Sequence, residues 1–203
     1  YLEEDAIWLA DGNEPVKVMH IQEMKLLGRH NVENVMAAIA MTYSMGVPLK
    51  NIVDTVKEFK AVEHRIEYVA TKRGVDYYND SKGTNPDAAI KGIQAMNRPT
   101  ILIGGGYDKD SEYDEWIRAF DGKVKWLVLL GQTRDKIAQC ARKYGFYNIL
   151  MVDSLEEAVE ICAAKAVEGD AVLLSPACAS WGMFPNYEVR GTLFKQYVAN
   201  LEE

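Results

Sequence analysis

The segment NDSKGTN at 79–85 carries a carboxylate, an ammonium group, two amides and two hydroxyls. A loop that only joins a strand to a helix needs a few solvated turn formers, so this segment offers more chemistry than a turn requires. Asp80 can accept hydrogen bonds from ribose hydroxyls, and Lys82 with Thr84 can bind a carboxylate through charge and a hydroxyl. The alternative is that Asp80 only caps the turn and Lys82 points to water.

A second polar segment, GGGYDK at 104–109, also follows an apolar stretch. Glycines after a strand are typical of a loop that approaches phosphates, but Lys109 stands where the dinucleotide pattern GxGxxG has its third glycine. The dinucleotide interpretation is therefore weak. We expect Lys109 either to present a cation to an anionic substrate or to be a solvated residue of a tight turn.

Two candidate segments precede these loops. GRHNVEN at 28–34 opens a helical pattern and places Asn31 and Asn34 on one face of its first turn, beside His30. These side chains can hydrogen-bond the edge of an adenine, or one asparagine can cap the helix. Arg65 is interpreted as a phosphate ligand in a cleft between domains or as an ordinary surface residue.

The last polar segment, SPACASWGMF at 175–184, follows an apolar strand. It predicts either a buried turn or a substrate pocket around Ser180. Cys178 has no activating partner nearby in the sequence, so we expect a small buried residue rather than a nucleophile.

The elements that hold these segments are short apolar strands alternating with amphipathic helices. A hairpin is predicted around Gly74, with strands near 100–105, 124–131, 148–152 and 171–176 and helices near 86–97, 111–120, 132–145, 154–167 and 187–202. This rhythm is typical of a mostly parallel sheet covered on both faces, in which ligands bind at the carboxyl ends of the strands. The expected fold class is α/β, with a Rossmann-like doubly wound sheet.

The N-terminal part of the chain has a different pattern. Strands at 3–10 and 15–24 flank a DGN turn and form an antiparallel element, and helices follow from Asn31 to Gly46 and at about 48–60. We therefore divide the chain into domains at 1–62 and 63–203.

Composition excludes several classes of function. The formal net charge of −7 argues against a nucleic-acid surface, which needs clustered Lys and Arg. The three cysteines are too widely spaced for a disulfide framework, and with three scattered histidines they form no zinc pattern. No apolar run approaches the roughly 18 residues of a membrane span, so the cytoplasm is the expected compartment. The start at Tyr1 suggests a fragment or a processed product.

Taken together, GRHNVEN, HRIE, NDSKGTNPDAA, GGGYDKD, LLSPACASWGMF and RGTLF resemble the motifs of the Mur ligase family in order and separation. The sequence departs from the family pattern at Gly83 and Gly182, where alanine and an acidic residue are more usual. The resemblance implies an ATP-dependent amide ligase of peptidoglycan synthesis that adds D-glutamate to UDP-N-acetylmuramoyl-L-alanine through an acyl phosphate. It also implies that residues 1–62 end a central ATPase domain and that 63–203 form the amino-acid-binding domain. The phosphate loop and most Mg²⁺ ligands are expected upstream of this chain.

The resemblance also implies roles for individual residues. It implies that His30, Asn31 and Asn34 contact the adenine of ATP. Arg65 is the implied contact to the phosphates of ATP, and Asp80 is the implied contact to its ribose. The residues implied for D-glutamate are Lys82, Thr84, Lys109, Ser180, Trp181 and Tyr187. Lys82 and Arg65 are the implied catalytic residues.

Three alternatives stay open at this stage. A sibling ligase of the same family would add L-alanine, a diamino acid or a dipeptide, and a folylpolyglutamate-type ligase would share the fold. A non-catalytic binding module of that fold is the alternative from a different class. The oligomeric state is not predicted.

Overall fold

The structure is a computed structural model that describes residues 1–202. The chain separates into two compact units between Ala61 and Val62. The assignment of these units to a central and a C-terminal domain stays a prediction.

The first unit combines a small sheet with two helices. Its elements are β1 (Leu2–Glu3), β2 (Ala6–Leu9), β3 (Val16–His20), a short 3₁₀ helix (Ile21–Glu23), α1 (Arg29–Ser44) and α2 (Leu49–Glu58). The strands pair antiparallel, as predicted, and their order is β1-β2-β3. The predicted strand at 15–24 ends at His20, where the 3₁₀ helix follows. The predicted strand at 3–10 is two short strands, because Glu4 and Asp5 adopt positive φ and turn the chain.

Apolar spacing explains how this unit holds together. Val32, Val35 and Ile39 recur on one face of α1 and pack in a buried cluster with Ile7 of β2 and Ile52 of α2. The helix ends before Gly46, whose φ of +85° suits the left-handed position after a helix C-terminus.

The described part of the second unit, residues 62–202, contains six strands and five helices. They are β4 (Glu67–Lys72), β5 (Val75–Asn79), α3 (Pro86–Ala95), β6 (Thr100–Gly104), α4 (Asp114–Arg118), β7 (Val124–Leu129), α5 (Arg134–Lys143), β8 (Ile149–Met151), α6 (Leu155–Lys165), β9 (Ala171–Leu174) and α7 (Tyr187–Ala199). The strand order is β4-β5-β9-β6-β7-β8, and only β4 is antiparallel to its neighbour. The predicted α/β class with a mostly parallel sheet is confirmed.

The central strands β6 and β9 are mainly apolar because the sheet buries both of their faces. Ile101 and Leu102 of β6 and Leu173 of β9 have no exposed surface. The predicted hairpin turns at Arg73 and Gly74, both with positive φ. The predicted helix at 111–120 is shorter than expected, since its helical part covers only α4.

The strand order brings the polar loops together. The chain passes from β5 through α3 to β6 and later returns from β8 through α6 to β9, which inserts between β5 and β6. The loops that follow β5, β9, β6 and β7 therefore leave the same edge of the sheet, side by side. These are the loops that begin at Asp80, Ser175, Gly105 and Leu130.

Within residues 1–202 no helix combines the length and apolar character needed to cross a membrane.

Candidate functional site

The loop after β5 has a buried beginning and an exposed middle. Asn79, Asp80 and Ser81 are buried, whereas Lys82 is exposed and Thr84 is half-buried. Asp80 N donates to Leu174 O at 2.7 Å, which ties the loop to β9. Both side chains assigned to a carboxylate, Lys82 and Thr84, therefore remain accessible.

The Asp80 carboxylate faces the interior of the unit. Its Oδ2 accepts a 2.7 Å hydrogen bond from Ser175 Oγ, and its Oδ1 accepts one of 3.3 Å from Ile66 N. With 4% of its surface exposed, the residue offers no free oxygen to a ribose in this conformation. The predicted ribose contact stays a prediction that this geometry does not support.

Burial raises the pKa of Asp80 to about 7, against hydrogen bonds from Ser175 and Ile66 that favour the ionised form. Since the folded-state pKa lies above its ordinary value of 3.8, the stabilising contribution is complete below about pH 4 and is lost as the pH rises through about 7. The free energy of unfolding of the wild type, minus that of Asp80→Asn, should fall by on the order of 4 kcal/mol over this range. Urea unfolding at a series of pH values measures this difference.

Asp114→Asn is the matched control, because hydrogen bonds from Lys143 and Tyr144 hold the pKa of Asp114 at about 2. The free energy of unfolding of the wild type, minus that of Asp114→Asn, should stay nearly constant between about pH 4 and pH 7. A flat difference for Asp80→Asn as well would contradict the raised pKa.

Lys82 and Tyr187 lie together at the edge of the sheet. Lys82 Nζ is 5.7 Å from the centre of the Tyr187 ring, and Lys82 N donates to His64 O at 3.0 Å. The edge of His64 packs against the same ring, with centroids 6.1 Å apart. Ser81 Oγ donates to Tyr187 O at 2.7 Å, so the start of α7 is held against the loop.

Arg190 is a buried residue that the sequence analysis missed. It is 2% exposed, and its guanidinium donates from Nε to Ser81 Oγ at 2.9 Å, from Nη2 to Ser81 O at 2.8 Å and from Nη1 to Cys178 O at 3.1 Å. Burial lowers its pKa to about 10, which leaves it charged at neutral pH. This one side chain joins the loops after β5 and β9 to α7. The signals in the sequence were a charged residue close to Leu193 and Phe194 and the place of RGTLF among the motifs of the resemblance.

The glycines of GGGYDK serve packing between loops. Gly105 N donates to Pro176 O at 2.8 Å, and Gly106 N donates to Thr133 Oγ1 at 3.0 Å. A Cβ at Gly105 would overlap the carbonyl oxygen of Leu130, and Gly105 has a φ of +97°. Beyond the glycines, Lys109 is exposed, and it forms no ion pair in the part of the chain that the structure describes.

The segment after β9 is a buried turn with one exposed aromatic residue. Ser180 is 4% exposed and its carbonyl accepts from Phe184 N at 2.9 Å, whereas Trp181 is 55% exposed. Trp181 packs edge-on against Tyr107, with ring centroids 5.7 Å apart. Gly182 has a φ of +82°, a conformation that favours glycine over the acidic residue expected there.

Cys178 is buried, as predicted. Its Sγ lies 3.1 Å from Tyr113 Oη and 3.3 Å from Thr133 Oγ1. Burial raises the pKa of the thiol, so the geometry favours a structural residue rather than a nucleophile.

Arg65 lies at the beginning of the second unit, where the chain bends sharply. The neighbouring His64 is 5% exposed with a φ of +64°, and its Nδ1 is 3.0 Å from Asn79 Nδ2. The Arg65 side chain is exposed and forms no hydrogen bond or ion pair within residues 1–202. Its guanidinium is therefore available for an anion.

The candidate adenine contacts lie at the start of α1. The interpretation of Asn31 or Asn34 as the N-cap is wrong, because the helix begins at Arg29 and its N-cap is Gly28. Asn31 Nδ2 instead donates to Leu27 O at 2.8 Å, and Asn34 Nδ2 lies 3.5 Å from Asn31 Oδ1. Asn34 is exposed, and His30 and Asn31 are half-buried. Their contact with adenine stays a prediction.

The sequence profile of the family described as "Mur ligase, glutamate ligase domain" matches residues 64–178, more than half of the chain. The chain belongs to the Mur ligase family. Two Mur ligases that it resembles are a UDP-N-acetylmuramoylalanine-D-glutamate ligase of Lachnospira eligens, 63% identical over 99% of this chain, and one of Lachnoclostridium phytofermentans, 58% identical over 100% of it. Each alignment covers 45% of the relative, so the chain spans slightly less than half of their length.

Solved structures of Mur ligases share this fold. A UDP-N-acetylmuramate-alanine ligase of Thermotoga maritima matches with a TM-score of 0.65 and 18% identity, over 93% of this chain and 41% of that one. A folylpolyglutamate synthase of Thermotoga maritima matches with a TM-score of 0.56 and 22% identity, over 76% and 37%. At these identities the likeness shows the fold alone.

Proposed function

We propose that this chain is the C-terminal portion of an ATP-dependent ligase that adds D-glutamate to UDP-N-acetylmuramoyl-L-alanine in the cytoplasm, during peptidoglycan synthesis. The observation that carries the proposal is 63% identity, over 99% of the chain, to a relative named for this activity. Accessible cations at the strand ends support it, since Lys82, Lys109 and Arg65 are exposed and anionic groups are what the reaction must hold.

In the proposed reaction, the carboxylate of UDP-N-acetylmuramoyl-L-alanine becomes an acyl phosphate at the expense of ATP, with release of ADP. The amino group of D-glutamate then attacks the acyl carbon, and a tetrahedral intermediate loses inorganic phosphate to leave the amide. This chain's share is to bind and orient D-glutamate and to stabilise phosphate charge, because positioning and electrostatics dominate such transfers.

The proposed D-glutamate site lies at the carboxyl ends of β5, β6 and β9. Lys82, Thr84 and Lys109 bind the carboxylates, and the Tyr187 ring, which packs near Lys82, closes one side. Ser180 and Trp181 are proposed to close around the rest of the amino acid. Ser180 is buried in this conformation, so it contributes through its backbone or after a rearrangement of the turn.

The residues proposed to contact ATP differ in how well their surroundings suit that role. The exposed guanidinium of Arg65 suits a phosphate contact and a catalytic role with Lys82, and the exposed amide of Asn34 suits an adenine contact. Asp80 suits a structural role better than a ribose contact. In residues 1–202 no cluster of three or more His, Cys, Asp or Glu side chains has the geometry to hold a metal ion. Most of the Mg²⁺ ligands are proposed to lie upstream of this chain.

The intact ligase should release ADP with D-glutamate and UDP-N-acetylmuramoyl-L-alanine together, and not when either is omitted. Turnover with L-alanine, a diamino acid or a dipeptide in place of D-glutamate would instead favour a sibling ligase, and turnover with a folate and L-glutamate a folylpolyglutamate-type ligase. Absence of turnover with every substrate would favour a non-catalytic binding module. The isolated chain is expected to form no amide, and amide formation by it would contradict the division of roles proposed here.

A further inference from the structure

We propose that Lys136 and Gln132 are positioning residues that keep Lys109 available for a substrate carboxylate. Gln132 lies in the loop after β7 and Lys136 in the first turn of α5. The inference rests on the proposed function, because it concerns the D-glutamate site, and it deepens that function by assigning residues that act through Lys109.

Gln132 and Lys136 both contact Asp108, which directly precedes Lys109 in the loop after β6. Asp108 N donates to Gln132 Oε1 at 3.2 Å, and Asp108 Oδ2 lies 3.4 Å from Lys136 Nζ. The other carboxylate oxygen, Oδ1, accepts a 2.9 Å hydrogen bond from Asp110 N, which closes a tight turn around Lys109. Lys109 is therefore presented at the tip of a turn whose two flanks are anchored.

Hydrogen bonds also hold the residues between the end of β6 and Asp108. Tyr107 N donates to Ala179 O at 2.9 Å, and Thr133 N donates to Gly106 O at 3.1 Å. The residues from the end of β6 to Asp108 are thus fixed by the two neighbouring loops. Of the side chains from Tyr107 to Lys109, only that of Lys109 has no partner in the described residues.

Electrostatics explains why the Lys136 contact matters for the neighbouring lysine. Asp108 and Lys136 are partly buried, with side-chain exposures of 24% and 38%, so their attraction is less screened than that of a surface pair. Without Lys136, the Asp108 carboxylate would be free to pair with Lys109 and would repel an incoming carboxylate. Lys136 neutralises Asp108 and leaves the Lys109 charge for the substrate.

Lys136→Met in the intact ligase is expected to raise the KM for D-glutamate about threefold to tenfold, with the KM for ATP unchanged. Adding Asp108→Asn should bring the KM for D-glutamate back toward the wild-type value. Asparagine still accepts the hydrogen bond from Asp110 N but carries no charge to capture Lys109. A merely structural role for Lys136 would not be rescued in this way. Lys136→Arg should keep the wild-type KM.

Gln132→Ala removes the second anchor without a change of charge. It should also raise the KM for D-glutamate, and Asp108→Asn should not restore it, because the lost contact is to the Asp108 backbone. Steady-state kinetics with D-glutamate and ATP varied separately measure all of these effects.

Lys143→Met is the matched control, because Lys143 lies in the last turn of α5 and pairs at 2.7 Å with Asp114 of α4 rather than with Asp108. It should leave both KM values unchanged. An unaltered KM in Lys136→Met, an equal rise for both substrates, or no rescue by Asp108→Asn would overturn the inference. If Lys109→Ala raises the KM while Lys136→Met does not, only this inference fails. If the wild type does not use D-glutamate, the proposed function and the inference fail together.

Discussion

Replacement of Arg190 by methionine is expected to lower the free energy of unfolding by about 3 to 5 kcal/mol. Methionine keeps much of the side-chain length but makes none of the three hydrogen bonds to Ser81 and Cys178. The two carbonyl oxygens then lose their cationic donor in a site with little access to water, which is the costly outcome for buried polar groups. Urea unfolding of the full chain, followed by circular dichroism, measures the change.

Two further variants serve as controls for this measurement. Arg118→Met removes an arginine that is exposed and pairs with Glu115, so it should lower stability far less than Arg190→Met does. Arg190→Lys keeps the charge but lacks the planar fork, so it should recover only part of the loss. Equal effects of Arg190→Met and Arg118→Met would mean that the buried network contributes little to stability.

The Arg190 network also predicts a kinetic effect in the intact ligase. Arg190 holds Ser81, which in turn binds the Tyr187 carbonyl, so its loss should release both Lys82 and Tyr187 from their present positions. Turnover should therefore fall even at temperatures where Arg190→Met remains folded. Unchanged turnover would mean that the hydrogen bonds of Arg190 do not affect the proposed D-glutamate site.

Removal of the Lys109 side chain is expected to cost on the order of 2–4 kcal/mol of D-glutamate binding, as for one partner of a desolvated charge pair. Lys109 is exposed and unpaired within the described residues, so Lys109→Ala leaves no buried group unsatisfied and should barely change stability. The KM for D-glutamate should rise about thirtyfold or more, and the KM for ATP much less. Steady-state kinetics of the intact ligase, with each substrate varied separately, measure the two constants.

Lys91→Ala is a suitable control, because Lys91 is an exposed lysine on α3 with no predicted role in the site. It should change neither constant. An unaltered KM for D-glutamate in Lys109→Ala, or an equal rise for both substrates, would mean that Lys109 is a solvated turn residue and that the amino acid binds elsewhere.

Local patterns in the sequence were enough to predict the fold class and the edge of the sheet at which the candidate residues lie. Short apolar strands alternate with helices because a parallel sheet is buried on both faces, and Leu102 and Leu173 illustrate this with no exposed surface. Polar residues that follow such strands share one edge, so Lys82 and Lys109 were identified as candidates without coordinates. The hairpin at Gly74 was predicted from the alternating residue pattern around this glycine, and its turn does have positive φ.

Contacts between residues far apart in the chain could not be predicted in this way. Asp80 was interpreted as a ligand residue, yet it accepts from Ser175, which is 95 positions away, because β9 inserts between β5 and β6. The position of Arg190 in a predicted helix does not indicate that it is buried. Its hydrogen bonds to Ser81, 109 positions away, are seen only in the structure. Periodicity reports only which face of an element is buried. Whether a polar side chain at a strand end faces solvent or a neighbouring loop depends on strand order and packing, which the tertiary fold alone determines.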